Sequence, residues 1–164
     1  MKKKIVITLR EQLKIDNLVS YKWRNDPKVW KNTLGINKYL KFKKITYQDE
    51  LQWFKKTKKD KNRKNLSILA DGKKLIGYIY FTNIKKSIAQ FHIVIGNKNF
   101  WNKGLGCRAT ILSLSFARYN YDLKNIYLFV KKNNIPALKI YKKIGFRLEN
   151  INKNNLIKMN FKIK

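Results

Sequence analysis

This sequence is poor in the residues that carry redox and metal chemistry. Its 164 residues include one cysteine, Cys107, and one histidine, His92. A lone cysteine excludes an internal disulfide and suits a reducing compartment, so the cytoplasm is the expected location. One His and one Cys make no ligand cluster, and no metal is expected. No apolar run reaches the roughly eighteen residues of a membrane span. The start, Met1-Lys2-Lys3-Lys4, has the charge of a signal peptide, but the apolar run 5–9 is cut off by Arg10 and Glu11, so no signal is expected. Acids are scarce as well: 9 Asp and Glu stand against 39 Lys and Arg, for a net charge of +30.

That imbalance points first to polyanions. The cations are scattered along the chain, however, and Lys, Asn and Ile are enriched together, as A/T-rich codons would make them. Nucleic-acid binding is therefore expected only as non-specific attraction at low salt. What remains is a surface that favours polyphosphate ligands. The length fits one domain over 1–164, and 44% hydrophobic residues can fill its core.

The chain is organised around residues 89–109. Phe91, Ile93 and Ile95 alternate with Gln90, His92 and Val94, as in a strand. The strand breaks at Gly96-Asn97-Lys98-Asn99. Beyond Trp101, Asn102-Lys103-Gly104-Leu105-Gly106-Cys107 leads into a helix whose buried side is expected to hold Ala109, Leu112, Leu114 and Phe116. A glycine turn feeding a helix N-terminus is a phosphate site: the first N–H groups lack internal partners, and the macrodipole adds positive charge. Cys107 reads as a small residue filling a loop position.

Upstream, the patterning predicts a strand over 5–9 and a helix over 13–23 burying Leu13, Leu18, Val19 and Trp23. Asp26-Pro27 stops that helix. A short helix over 28–34 and a basic connector over 35–44 follow. Thr46 caps the next helix, which carries Leu51, Trp53 and Phe54 and ends in a charged run. Strands are expected over 66–70 and 75–82, joined by the hairpin turn Asp71-Gly72. Tyr78 and Tyr80 share one face of the second. Downstream come a strand over 126–130, a helix opened by Pro136 and closed by Gly145, and an antiparallel pair over 146–150 and 156–163. The order is that of an α+β protein with helices on the faces of a sheet.

The second motif runs from Asn134 through Ala137 and Tyr141 to Gly145 and Phe146, and matches N-x-x-A-x-x-x-Y-x-x-x-G-F. With the glycine turn, where Trp101 replaces the usual Gln or Arg, it resembles the GNAT superfamily of acetyl-CoA-dependent N-acetyltransferases. The resemblance is fullest over 66–164. It implies a mixed, mostly antiparallel sheet whose central strand pair splays to admit acetyl-CoA. Backbone around Ile93, Val94 and Ile95 would pair with the pantetheine arm and supply oxyanion donors. The turn from Trp101 to Cys107 would hold the pyrophosphate, and Asn134 and Ala137 would flank the pantetheine. Tyr141 would protonate the departing thiolate.

Related enzymes often have Gly at the position of His92 and Glu at that of Gln90. His92 can replace the missing base, directly or through water; it is equally a hydrogen-bonded strand histidine. Trp23-Arg24-Asn25-Asp26-Pro27, with Trp53-Phe54, resembles the acceptor region of sugar-nucleotide N-acetyltransferases. Arg24 would hold a diphosphate, and Trp23, Trp30, Tyr78 or Tyr80 would stack on a base or sugar; for Trp23 and Trp53 core packing is the simpler role. The implied acceptor is a nucleotide-linked amino sugar. The alternatives are a protein N-terminal α-amine, as in the ribosomal-protein acetyltransferases, and a non-catalytic basic nucleic-acid-binding module. Oligomeric state is left open.

Overall fold

A computed structural model describes residues 4–30, 44–152 and 155–164. It contains a seven-stranded sheet in the order β1-β2-β3-β4-β5-β7-β6. The strands are β1 (Ile7–Glu11), β2 (Lys64–Ala70), β3 (Lys74–Lys85), β4 (Ile88–Ile95), β5 (Asn125–Lys131), β6 (Arg147–Ile151) and β7 (Leu156–Lys162). The helices are α1 (Asn17–Arg24), α2 (Pro27–Trp30), α3 (Tyr47–Lys59), α4 (Leu105–Tyr121) and α5 (Ile135–Ile144). Every pairing is antiparallel except that of β4 with β5. The α+β architecture expected from the sequence is thus the one observed. Among the described residues no helix is long and apolar enough to cross a membrane.

Local chemistry sets the element ends. Asp71 and Gly72 both have positive φ, 52° and 70°, which matches the tight β2–β3 hairpin. Thr46 accepts the Asp49 N–H while the Asp49 carboxylate accepts the Thr46 N–H, a reciprocal cap on α3. One sheet face packs under α4, where Leu66, Ile68, Ile79, Phe81 and Phe91 meet Leu105, Ala109, Leu114 and Ala117. The opposite face carries Ser67, Tyr78, Tyr80 and His92, which the β2–β3–β4 register aligns side by side; Trp23 of α1 and Trp53 of α3 pack on its tyrosines.

Several expectations are corrected. The first strand is shifted to Ile7–Glu11, because its backbone pairs in register with Ala70 through Leu66. The first helix begins at Asn17, after a 3-10 turn over Lys14–Asp16 in which Asp16 accepts the Leu13 N–H. Its polarity is inverted: Leu13, Leu18 and Val19 are exposed (49%, 45% and 38%), whereas Asn17 and Ser20 are buried. The reason is Asp16 and Glu50, two buried carboxylates that draw polar partners inward. On α4, Leu112 faces outward, and Thr110 and Ser113 take buried positions instead; both hydroxyls are satisfied by helix carbonyls. Of the helix expected over 28–34, residues up to Trp30 are helical. Residues 31–34, most of the connector 35–44 and the Trp30 side chain lie outside the described residues.

Candidate active site

The parallel strands β4 and β5 are paired only at Ile88, Ala89 and Gln90, opposite Asn125, Ile126 and Tyr127. Beyond that point β5 continues against β7, and β4 continues against β3 as far as Ile95. The β5-facing edge of β4 over His92, Ile93, Val94 and Ile95 therefore has no strand partner, and a gap opens between the two central strands. Exposed strand edge of this kind takes up an extended ligand.

The turn from β4 to α4 closes one end of the gap. The Trp101 indole donates to the Ile95 carbonyl at 2.7 Å, which ties the turn to the end of the strand. Asn102 and Gly104 have positive φ, 58° and 67°. Lys103 is exposed, and Leu105 is the buried anchor of the turn. The first helical bond of α4 runs from the Arg108 N–H to the Gly104 carbonyl at 3.2 Å. The N–H groups of Leu105, Gly106 and Cys107 precede it and are left to an outside acceptor. A Cβ built on Gly106 meets only Ile95 Cγ1, at 4.0 Å. Packing therefore does not require this glycine, and a ligand approaching the backbone would.

Asn134 and Tyr141 stand on the other side of the β5 turn. Asn134 caps α5, accepting the Ala137 N–H at 3.4 Å. Tyr141 packs 5.5 Å from the Phe146 ring, and burial pushes its hydroxyl up to about 12. The hydroxyl stays protonated at neutral pH.

The tyrosine face of the sheet forms a second, polar site under α1 and α3. Glu50, buried on α3, accepts from Ser20 at 2.6 Å and from Arg24 at 3.0 Å. Asp16 accepts from Ser67 and Arg10, and Tyr78 donates to the Asp16 carbonyl. Burial raises the Tyr78 and Tyr80 hydroxyls well above their ordinary range. His92 bonds Thr82 through Nε2 at 2.9 Å. Burial, then the Arg63 charge, lowers its pKa to about 4, so it is neutral at physiological pH. Gln90, next along β4 on this face, accepts from Asn83.

The structure brings together Trp23, Arg24, Tyr78, Tyr80 and His92 but gives several of them internal partners. Arg24 is ion-paired to Glu50 through Nη1, so part of its charge is already matched within the chain. Asn25 spends its amide on the Tyr21 and Ile45 carbonyls and the Ile45 N–H, pinning α1 to the start of α3. Trp23 lies edge-on to Tyr78 and so close to Gly96 that a side chain there would overlap its ring. Two residues escaped the sequence reading. Glu50 falls on the buried stripe with Leu51 and Phe54, and a carboxylate on such a stripe was the available signal. Arg63, at the end of a charged run, gave none.

Comparison with known proteins supplies the family. The Acetyltransferase (GNAT) domain family matches residues 7–147. The chain belongs to this family. This GNAT domain is 29% identical over 128 residues to Acetyltransferase PseH of Campylobacter jejuni, covering 78% of this chain and 74% of that protein. It is 30% identical over 92 residues to Spermidine N(1)-acetyltransferase of Escherichia coli, covering 55% and 48%. A crystal structure of spermidine N-acetyltransferase from Vibrio cholerae in complex with CoA and spermine superposes with a TM-score of 0.81 at 20% identity, over 96% of this chain and 95% of that one. The GNAT domain is accordingly an acetyltransferase, as its two motifs implied. The nucleic-acid-binding module loses its support.

Proposed function

We propose that this acetyltransferase moves the acetyl group of acetyl-CoA onto the amine of a nucleotide-linked amino sugar. The bound co-substrate supplies an activated thioester. The chain supplies the β4 edge to align its arm, the α4 N-terminus and Gly106 to receive its phosphates, and Tyr141 to hold a proton for the thiolate. On the acceptor side, His92 keeps Nε2 on Thr82 and presents Nδ1 toward the amine or an intervening water.

The observation that carries the acceptor class is the charge of the tyrosine face. Its two carboxylates, Asp16 and Glu50, are each matched by an arginine, and a further guanidinium, Arg63, has no carboxylate partner among the described residues. Each of the other seven acids also has a partner within the chain. On this face a polyamine would find surplus cation and no carboxylate without an arginine partner. An anionic acceptor meets the opposite situation.

The test is CoA release from acetyl-CoA over a panel of UDP- and dTDP-linked amino sugars, with spermidine and α-amino peptides beside them. Turnover of a nucleotide sugar is expected; turnover confined to spermidine or to peptides overturns the acceptor assignment. With the productive acceptor, Tyr141→Phe is expected to lower kcat about 10²- to 10⁴-fold and to leave acetyl-CoA affinity nearly unchanged. Wild-type turnover in that variant removes Tyr141 as the acid.

A further inference from the structure

Arg63 lies immediately ahead of β2, in a loop held by three bonds. Its own N–H donates to the Asp60 carbonyl at 3.2 Å, the Asn62 N–H to the Asp60 carboxylate at 2.9 Å, and the Ile84 N–H to the Asn62 carbonyl at 3.0 Å. The guanidinium packs against two aromatic rings set nearly perpendicular to each other, 4.9 Å from the Trp53 centroid and 4.8 Å from that of Tyr80. Nε donates to Asn65 Oδ1 at 2.7 Å, which fixes the rotation of the fork. Neither Nη group has a hydrogen bond among the described residues, and no carboxylate pairs with the charge.

Placing a cation here is costly. Burial lowers the Arg63 pKa, Tyr80 and the Asp60 carboxylate partly oppose it, and Arg24 adds a small repulsion; the two guanidiniums share the Trp53 ring, with Arg24 at 5.3 Å. Stacking on rings offsets part of that cost but leaves the outer, two-nitrogen edge unmatched. A planar fork packed against two rings and fixed at Nε, with its remaining donors unpartnered among the described residues and near a candidate catalytic base, is suited to bidentate recognition of an oxyanion. Every other arginine on this face already has its anion: Arg10 has Asp16 and Arg24 has Glu50.

Resting on the nucleotide-sugar reading above, we infer that Arg63, rather than Arg24, is the residue that binds the acceptor's diphosphate. It takes the phosphate oxygens through its two Nη groups and sets the sugar amine against His92.

The position has a consequence for His92. The titratable and charged groups on this face are Tyr78 and Tyr80 from β3, Glu50 from α3, Arg24 from α1, Arg10 paired with Asp16, and Arg63 with Asp60 acting on it; of these, Arg63 is the one whose charge depresses His92. A dianion seated on Arg63 cancels that charge. His92 then becomes a better proton acceptor when the acceptor is bound, and a poor one when the site is empty. Specificity and base strength would be coupled through one guanidinium.

The test uses UDP as probe, without an acetyl group to transfer. Calorimetry on the whole chain is expected to show UDP binding, no comparable binding of uridine, and affinity for UDP reduced about ten- to hundredfold in Arg63→Gln, the loss of charge-assisted hydrogen bonds. Arg63→Lys, which keeps the charge and the stem but not the fork, is expected to fall between. It carries the same comparison if the glutamine variant does not fold. The single histidine gives one imidazole signal by NMR: UDP is expected to raise its pKa in the wild type and to leave it unmoved in Arg63→Gln. Equal UDP affinity in wild type and both variants, or uridine binding as tightly as UDP, overturns the inference. The parent reading fails separately. Arg63-dependent UDP binding with no transfer to any nucleotide-linked amino sugar overturns the acceptor assignment and keeps the anion site. Transfer undiminished in Arg63→Gln keeps the assignment and removes Arg63.

Discussion

At the scale of single residues, identity was easier to read than environment. Tyr141 was visible because a spaced motif surrounds it; the structure adds a buried hydroxyl that holds its proton. His92 was visible as the only histidine, but nothing along β4 announced that Arg63, distant in sequence, would lie near it. That neighbour and burial together change what His92 can do. An ordinary histidine would titrate near its usual value of about 6.5. Here the folded-state pKa is about 4, below the value in the unfolded chain. Between those two values the unfolded state binds more protons, so stability rises with pH across the interval and is level above it. Urea midpoints measured from pH 4 to 7 are expected to fall, as pH is lowered, more steeply in the wild type than in His92→Gln. Parallel curves would mean that His92 titrates alike in both states, and its buried, Arg63-facing environment would then be wrong.

At the scale of elements, the sequence was most informative where local chemistry decides. Thr46 and Asp49, Asp71 and Gly72, and Pro136 each placed a boundary that the structure keeps. It was least informative where distant groups decide. The inverted face of α1 follows from Asp16 and Glu50, whose partners come from β1, β2 and α1 itself, and no helical period carries that information. The α4 turn shows the difference between a glycine kept for packing and one kept for a ligand. Because a Cβ on Gly106 has room in the fold, Gly106→Ala is expected to preserve stability or to raise it by up to about 1 kcal/mol through helix propensity. The same methyl is expected to weaken acetyl-CoA binding about tenfold, the equivalent of one charged hydrogen bond. Thermal unfolding and acetyl-CoA titration on one preparation separate the two effects. A variant that loses stability and affinity together would identify a packing glycine, and the phosphate role of the turn would lose its main structural support.

At the scale of the whole molecule, the net charge of +30 acts on both substrates before either makes a contact. Composition alone left its function open, since codon usage accounts for much of the excess. The structure narrows it by showing that each of the nine acids is engaged internally. On the tyrosine face the two carboxylates are paired with arginines and Arg63 has no ion pair among the described residues, which favours an anionic ligand there. Attraction and repulsion respond to salt in opposite directions, because ions within about 10 Å at 0.1 M screen both. For a nucleotide-linked acceptor, kcat/KM is expected to fall as ionic strength is raised from about 0.02 to 0.5 M. For spermidine, any residual rate is expected to rise over the same range as repulsion is screened. The sign of the slope is the measurement, and it needs no knowledge of which sugar is the natural one. A rate on spermidine that falls with salt would require an anionic site for the polyamine. Both carboxylates of the tyrosine face are already paired with arginines, so that outcome would overturn the charge argument at its base.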